Sequence, residues 1–386
     1  MEKTIAILGA TGSVGLQAAD VAEKRGYRVD FLSANRDVSG LETLARKFKP
    51  KAVAIACSDA AKSLKVRLAD TDIKVLSGEE GILSGILDSN SDTVINSIIG
   101  EAGLMPTLAT IDAGKRLALA NKESLVIAGD IVMARARERG VEILPVDSEH
   151  SAIFQSLKSG KTEEIKKIIL TASGGPFFSK TREELKNVTL SDTLAHPTWK
   201  MGRKITVDSA TLMNKGFELI EASHLFSVSP DKVEIVIHRE SILHSAIEYI
   251  DNTVIGELSV PDMRMCVQYA VDYPERCESV ADELDLISIG KMTFYKPDTE
   301  AFPLLDLAKR TMSMGGGMTA VLNAADEVAV EAFLCEQISF LQISEIVEKT
   351  VDRMTLAKGA HTLEDIITSD REARKIAKEI IKEKTL

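Results

Sequence analysis

The chain is short of most features that mark a secreted or nucleic-acid-binding protein. Its 386 residues include only four cysteines, Cys57, Cys266, Cys277 and Cys335, and no Cys-x-x-Cys pair. That argues against a disulfide framework or a thiolate zinc site and fits a reducing cytosol. Basic residues are outnumbered, 47 Lys and Arg against 58 Asp and Glu, for a net charge of −11. So acidic a chain is poorly suited to sequence-blind binding of nucleic acid or of an anionic membrane, although a local basic cleft for a phosphate stays open. Aromatic residues make up 4%, with a single tryptophan, Trp199. No apolar run reaches the ~18–20 residues of a membrane span, and the best, 124–134, is broken by Asp130. The first apolar stretch, Thr4–Leu8, is too short for a secretory signal and leads straight into glycines. Hydrophobic residues, at 45%, suffice for real cores. At roughly 100–200 residues per domain, the length predicts two or three domains. The expectation is a cytoplasmic enzyme.

Over residues 1–147, Val- and Ile-rich runs at 4–8, 28–33, 51–56, 73–76, 93–99, 116–120 and 141–146 alternate with helical patterns such as 13–25, 40–48, 58–69, 103–113 and 122–139. Such alternation implies βαβ units around a parallel sheet. The fold class is therefore α/β, opening with a doubly wound, Rossmann-like nucleotide-binding domain. Residues 148–273 read as a central α/β catalytic domain. It holds a helix at 151–158, a strand at 165–172, a helix at about 208–226 and three alternating segments at 232–239, 241–250 and 253–260. Those three predict an antiparallel meander or mixed sheet. Residues 274–303, with Pro274, Pro297 and Pro303, read as a linker. Residues 304–386 have helical spacing, with Leu363, Ile366, Ile367, Ile376, Ile380 and Ile381 on one face, and predict a C-terminal helical bundle.

Gly9-Ala-Thr-Gly-Ser-Val-Gly15 follows the first strand and opens the first helix. Its glycines suit a tight turn, close approach to a pyrophosphate and close helix–strand packing, and the helix N-terminus offers free N–H groups to phosphates. An ordinary strand–helix turn is the competing reading. The second strand ends in Ser33-Ala-Asn-Arg-Asp37, where NAD-selective sites tend to carry an acid for the ribose hydroxyls. Arg36 could instead pair a 2′-phosphate, which favours NADP, with Asp37 keeping NAD as the weaker option.

The last strand of this domain ends in Pro145-Val-Asp-Ser-Glu-His150. If the strand continues through this string, Asp147 and Glu149 project to one side, as two carboxylates suited to a divalent cation. The bland reading is a helix N-cap with solvated acids. In the 208–226 segment, Asn214, Lys215 and Glu218 share a face at i, i+3 and i+4 spacing. Lys215, Asn214 and Ser209 suit a phosphate, and Glu218 a third carboxylate. An all-oxygen set favours Mg²⁺ or Mn²⁺ over zinc. An exposed face with a Lys–Glu pair fits the same residues. Thr171-Ala-Ser-Gly-Gly-Pro176 offers a glycine turn in which Ser173 could join an anion nest. Trp199, in the polar loop His196-Pro-Thr-Trp-Lys-Met-Gly202, suits a lid over a ligand, with anchoring of the loop against the surface as the bland reading.

Taken with Leu119-Ala-Asn-Lys-Glu-Ser-Leu125, Val207-Asp-Ser-Ala-Thr-Leu-Met-Asn-Lys-Gly216 and Leu322-Asn-Ala-Ala325, these strings make the chain resemble, across essentially its full length, the 1-deoxy-D-xylulose 5-phosphate reductoisomerases of the non-mevalonate isoprenoid pathway. The resemblance implies NADPH and Mg²⁺ or Mn²⁺ as cofactors, a small phosphorylated sugar as substrate and a homodimer. It implies that Asp147, Glu149 and Glu218 are the metal carboxylates. Ser148, Ser173, His196, Ser209, Asn214 and Lys215 match substrate contacts. Lys122 matches a lysine facing substrate and nicotinamide, and Thr11, Gly12, Ser13, Val14, Asn35, Arg36, Asn121, Glu123 and Gly202 match the cofactor site. Lys122, His196 and the three carboxylates are the expected catalytic set. The implied chemistry is retro-aldol cleavage, aldol rejoining and hydride reduction of the branched aldehyde; Lys122, Glu149 and metal-bound water all stand as proton carriers. One string departs from the family: His238-Arg-Glu-Ser241 stands where His-Pro-Gln-Ser is expected. It lies outside the implied metal and phosphate sets and so bears on local loop shape. The rivals are an NADP-dependent dehydrogenase of a small phosphorylated substrate without rearrangement, and a nucleotide-sensing regulator. The thioester-forming branch of the former lacks a cysteine in a catalytic setting, and the latter lacks a basic domain.

Overall fold

A computed structural model describes residues 3–354 and 362–385. The chain divides into two compact units, which are not consecutive segments: 1–124, 132–151 and 262–282 form the first, and 125–131, 152–261 and 283–386 the second.

In the first unit, β1 (Thr4–Leu8), β2 (Arg28–Ala34), β3 (Ala52–Ile55), β4 (Lys74–Ser77), β5 (Thr93–Asn96), β6 (Arg116–Leu119) and β7 (Ile143–Pro145) form one sheet in the order β4-β3-β2-β1-β5-β6-β7. All its pairings are parallel. β1, β3 and β5 are almost wholly buried, as short Val/Ile runs covered on both faces require. β5 stops at Asn96, short of 99, where the Ser97 hydroxyl turns back to donate to the Leu8 carbonyl at 2.6 Å. A helix at Gly78–Asp88, not among those the sequence predicts, buries Ile82 and Ile86. The segment expected to close the central domain instead supplies helix Met263–Asp272 to this unit, packed on helix Ser13–Arg25.

Strand order reverses beside β1, so the crevice at its C-terminal end is the switch point where doubly wound folds bind ligands. Two glycines build that crevice. Gly9 has φ +71°, and a Cβ there would stand 2.7 Å from the Ser97 carbonyl oxygen. A Cβ on Gly15 would stand 2.2 Å from the Gly9 oxygen, so helix Ser13–Arg25 can approach β1 only without a side chain. Gly15→Ala is accordingly expected to cost roughly 1–3 kcal/mol through overpacking, read as a lower Tm together with weaker NADPH binding. An unchanged Tm and cofactor affinity would refute that packing role.

The second unit is built on a mixed sheet of order β11-β10-β8-β9, from β8 (Ile165–Ala172), β9 (Val233–Ile237), β10 (Leu243–Tyr249) and β11 (Val254–Leu258). β8 and β9 are parallel and the other pairs antiparallel. The alternating segments therefore form no meander: β8 lies between β9 and β10, because the helical crossover after β8 returns the chain in its own direction. That crossover is two helices, Arg203–Ala210 and Met213–Phe226, rather than one. Leu212 breaks it at φ +61°, a left-handed conformation that costs a branched residue about 1–3 kcal/mol. Helices Leu304–Met314, Met318–Leu334, Phe340–Arg353 and Leu363–Thr385 follow, and their apolar faces join one core with the sheet side, where Phe177 meets Phe340 edge-on at 5.0 Å.

Candidate active site

In the first unit, Thr11, Gly12, Ser13 and Val14 lie just beyond the end of β1, and Asn35 and Arg36 beyond the end of β2. The turn is pinned to β2 by the Ala10 N–H, which donates to the Ser33 carbonyl at 2.7 Å. Gly12 caps helix Ser13–Arg25 with no side-chain acceptor, and no acid stands in the first turn. The helix end therefore presents N–H groups and a positive dipole to an anion. Asn35 and Arg36 are exposed. Asp37, the residue that kept NAD open, accepts from the Gly40 N–H at 2.9 Å and caps helix Val38–Phe48. Its carboxylate is held in the helix cap.

Past β6, Asn121, Lys122 and Glu123 are buried. The Asn121 amide donates to the carbonyls of Ile98 (2.8 Å) and Gly100 (2.9 Å) and to Glu123 (3.0 Å), so it braces the turn after β5. Lys122 Nζ lies 2.7 Å from Asp147 Oδ2.

The strand-face argument for Asp147 and Glu149 is corrected here. β7 stops at Pro145, and Asp147 caps helix Ser148–Ser156, its carbonyl accepting the Ser151 N–H at 2.8 Å. The helix interrupts the strand because Asp147 Oδ1 also accepts the Glu149 N–H, at 3.3 Å, in place of a ladder partner. It is nonetheless no solvated cap, since the Asp147 side chain is only 10% exposed. Burial alone would raise its pKa, but the Lys122 ammonium and the neighbouring His150 hold it well below the usual carboxylate range. Asp147 is thus a largely buried oxygen donor whose charged form its neighbours favour. Ser148 donates to Glu149 Oε2 at 2.6 Å.

In the second unit, β8 runs into Ser173, Gly174 (φ +77°) and Gly175 (φ +64°). His196 Nδ1 accepts the N–H groups of Thr198 (3.2 Å) and Trp199 (2.9 Å), so the proton sits on Nε2, which donates to Ser173 Oγ at 3.0 Å. The pKa of His196, pushed down to about 4 by burial and by the Arg239 charge, keeps that ring neutral. Ser173 Oγ also accepts the Gly175 N–H at 3.2 Å, which fills its acceptor positions and leaves its own O–H as a donor. A Cβ on Gly175 would lie 2.6 Å from the Ser209 carbonyl, so this turn sits directly against helix Arg203–Ala210.

Ser209 is therefore on the helix before the Leu212 break, whereas Asn214, Lys215 and Glu218 are on the one after it. This corrects the single helix expected at 208–226. No glycine or proline marks the break; Thr211 Oγ1 accepts the Met213 N–H across it, at 3.3 Å. The exposed-face reading of these residues also fails. Lys215 is 4% and Glu218 1% exposed. The two Glu218 oxygens accept from Asn214 Nδ2 and Lys215 Nζ, each at 2.5 Å. Gly202 caps helix Arg203–Ala210 at the end of the His196 loop. Trp199 is half-buried, its ring 6.1 Å from that of His244.

Family models described as 1-deoxy-D-xylulose 5-phosphate reductoisomerase match residues 5–129 and, as its C-terminal domain, 143–226; a model described as the DXP reductoisomerase C-terminal domain matches 258–376. The reductoisomerase of Acetivibrio thermocellus is 51% identical over 382 residues, covering 99% of this chain and all of that one. The chain belongs to the 1-deoxy-D-xylulose 5-phosphate reductoisomerase family. The relative from Caldanaerobacter subterraneus is 50% identical over 376 residues, 96% of this chain and 97% of its own. Among solved reductoisomerases, that of Zymomonas mobilis in complex with NADPH superimposes at a TM-score of 0.91, 42% identical, covering 99% of both chains. A structure in complex with NADPH, fosmidomycin and magnesium superimposes at 0.94, 40% identical, covering 98% of both. Two residues beside the candidate residues were missed by sequence reasoning. His150, fully buried with Nδ1 3.3 Å from Asp147 Oδ1, stood in the quoted string, three residues after the acid it supports. Arg239 stood in the departing string, with nothing in its neighbours to show where it reaches.

Proposed function

We propose that this chain carries out the NADPH- and divalent-metal-dependent rearrangement and reduction of 1-deoxy-D-xylulose 5-phosphate to 2-C-methyl-D-erythritol 4-phosphate. The observation that carries the reading is the end-to-end match to a reductoisomerase solved with NADPH, fosmidomycin and magnesium. It favours the reductoisomerase over a dehydrogenase without rearrangement.

In this reading, Thr11, Gly12, Ser13, Val14, Asn35, Arg36, Asn121, Glu123 and Gly202 serve the cofactor. The bare helix end at Gly12 suits its pyrophosphate, and Asn121 acts through the backbone turn that it braces. Asp147, Glu149 and Glu218 would hold Mg²⁺ or Mn²⁺, and the Asp147 carboxylate, largely buried and with its charged form favoured, fits an oxygen-seeking cation. When bound, the metal supplies Lewis acidity toward the substrate's ketone and hydroxyl oxygens, and NADPH supplies hydride. Lys122, held at 2.7 Å by Asp147, keeps a fixed cationic donor at the end of β6. Ser173, Ser209, Asn214 and Lys215 take the substrate phosphate, and Ser148 a substrate hydroxyl. His196, with both ring nitrogens engaged, orients the Ser173 hydroxyl. Closure of the Trp199 loop excludes water.

The finer parts of the reading are Mn²⁺ as an alternative metal, a cytoplasmic location and a homodimer. The scarcity of cysteine, four in 386 residues with no Cys-x-x-Cys pair, supports a reducing compartment. The exposed Val254 and Leu258 on edge strand β11 support pairing with a second copy. Among the described residues no helix is long and apolar enough to cross a membrane.

The test is metal-dependent consumption of NADPH with 1-deoxy-D-xylulose 5-phosphate, and recovery of the branched product; NADPH oxidation with no branched product would point to the plain dehydrogenase. Because Asp37 is held in a helix cap and Arg36 is exposed beside it, a clear preference for NADPH over NADH is expected. Arg36→Glu should erode it by roughly ten- to a hundredfold, the scale of one lost charged hydrogen bond, with NADH turnover little changed. Equal turnover of both cofactors by the native enzyme would remove Arg36 from the 2′-phosphate.

A further inference from the structure

The His238-Arg-Glu-Ser241 string reaches the Ser173–Gly175 turn. Arg239 follows β9 and His238, and its Nη1 donates to the carbonyl of Ser173 at 2.5 Å and to that of Gly175 at 2.8 Å. The guanidinium lies over the Phe178 ring, 5.0 Å from its centroid. Its neighbours are themselves fixed. His238 Nε2 accepts the N–H groups of Ile242 (3.1 Å) and Leu243 (3.2 Å), which places its proton on Nδ1, facing the Thr293 carbonyl at 3.0 Å. Glu240 accepts from the Thr293 hydroxyl at 2.8 Å and its N–H at 3.2 Å, and its Oε2 lies 3.1 Å from His238 Nδ1. Among the described residues, the partners of the Arg239 guanidinium are therefore neutral carbonyls and a ring, and its charge is not cancelled by a carboxylate in contact.

We propose that Arg239 is a positioning residue of the substrate-phosphate pocket, holding the Ser173–Gly175 turn by its two carbonyls and lending the pocket a positive charge. The proposal rests on the reading of that turn as a phosphate contact. Two observations make the role specific. First, Lys215, the cation expected to meet the phosphate, is paired with Glu218 at 2.5 Å, so its charge is locally balanced. Arg239 brings a second cation whose hydrogen bonds go to carbonyls, with the Glu240 charge nearby but not in contact. Second, the turn is made of two glycines in left-handed conformation, a segment with large conformational freedom. A planar donor bridging the carbonyls on either side of Gly174 removes that freedom before substrate arrives, which is where preorganisation gains affinity. The influence extends to His196, whose ring Arg239 helps to keep neutral and so donating to Ser173. A lysine ammonium has donors enough for both carbonyls, but it lacks the planar guanidinium that lies over the Phe178 ring and is less firmly fixed there.

The test uses the full enzyme with R239A, R239K and, in parallel, K215A, measuring KM and kcat for 1-deoxy-D-xylulose 5-phosphate, inhibition by inorganic phosphate, NADPH affinity and Tm. R239A is expected to raise KM and the phosphate inhibition constant together by roughly tenfold or more, the scale of a lost charged hydrogen bond, with a smaller fall in kcat. NADPH affinity should stay native, and R239K should recover part of the loss. A lower Tm with KM and phosphate inhibition unchanged would leave Arg239 as a structural brace and overturn the proposal. If K215A also leaves phosphate inhibition unchanged, the phosphate-pocket reading itself falls; if K215A weakens it and R239A does not, only the role of Arg239 falls. Should R239A not fold, R239M, which keeps the apolar length but neither donor nor charge, carries the test, and native KM and phosphate inhibition in that variant overturn the proposal.

Discussion

Asp147→Asn is expected to reduce turnover by roughly a thousandfold or more, because Lewis-acid stabilisation is worth several kcal/mol and each 1.36 kcal/mol is a decade in rate. The asparagine keeps the shape and the capping oxygen but loses the charge that makes this site fit for a divalent cation. The same change leaves Lys122 buried without its carboxylate, a loss of about 3–5 kcal/mol in stability. Two effects must therefore be separated. Titration with Mg²⁺ alone should show binding abolished, while titration with NADPH shows it retained. Adding Lys122→Met to Asp147→Asn should restore part of the lost Tm without restoring turnover. An Asp147→Asn enzyme that works normally at ordinary metal concentrations would remove this residue from the metal site.

Lys215→Ala is expected to raise KM for the phosphorylated substrate by about ten- to a hundredfold, from about 1.5–3 kcal/mol for a lost charged hydrogen bond. It should lower kcat as well, since binding energy from a remote phosphate is drawn on to drive closure over the reacting centre. Its burial against Glu218 adds a consequence that an exposed lysine would lack. Once the cation is gone, a buried carboxylate loses the charge that balances it, so Tm falls too. Glu218→Gln is the counter-test. If Glu218 is a metal carboxylate, that variant should need far more Mg²⁺ yet keep native inhibition by inorganic phosphate. Matching losses of metal and phosphate binding in both variants would mean that the two residues act as one structural pair. An unaltered KM in Lys215→Ala would take the lysine out of the phosphate pocket.

The first unit was legible because parallel strands covered on both faces must be written as short Val/Ile runs, and because the turn after β1 can be built only with Gly9 and Gly15. Those constraints are local and leave marks in the string. For the candidate metal and phosphate residues the string names side chains but not their geometry. Helical periodicity runs apolar through Leu212, and a leucine in left-handed backbone leaves no sign of its own, so Ser209 was assigned to the wrong helix. Asp147 shows the same limit at a strand end: spacing of two suggested a shared face, whereas a capping side chain had already begun a helix. Strand order in the second sheet depends on which side of β8 the returning chain takes, which no alternation pattern records. Arg239 was missed because its partners lie more than sixty residues away in sequence.

Helix Met263–Asp272 has a consequence for how the protein is made. It belongs to the same compact unit as β1 and helix Ser13–Arg25, and it buries Val267, Ala270 and Val271, while its Asp272 carboxylate lies 3.6 Å from Arg25 Nε and 3.8 Å from Lys3 Nζ. The seven-stranded sheet is fully translated by residue 145, yet the unit lacks this cover until more than a hundred further residues have left the ribosome. The nascent sheet must wait with one helix face bare, at the rate of about 5–20 residues per second. A fragment ending at residue 151 keeps every glycine of the nucleotide turn, but it should aggregate or bind NADPH poorly, and adding 262–282 as a separate peptide is the way to recover it.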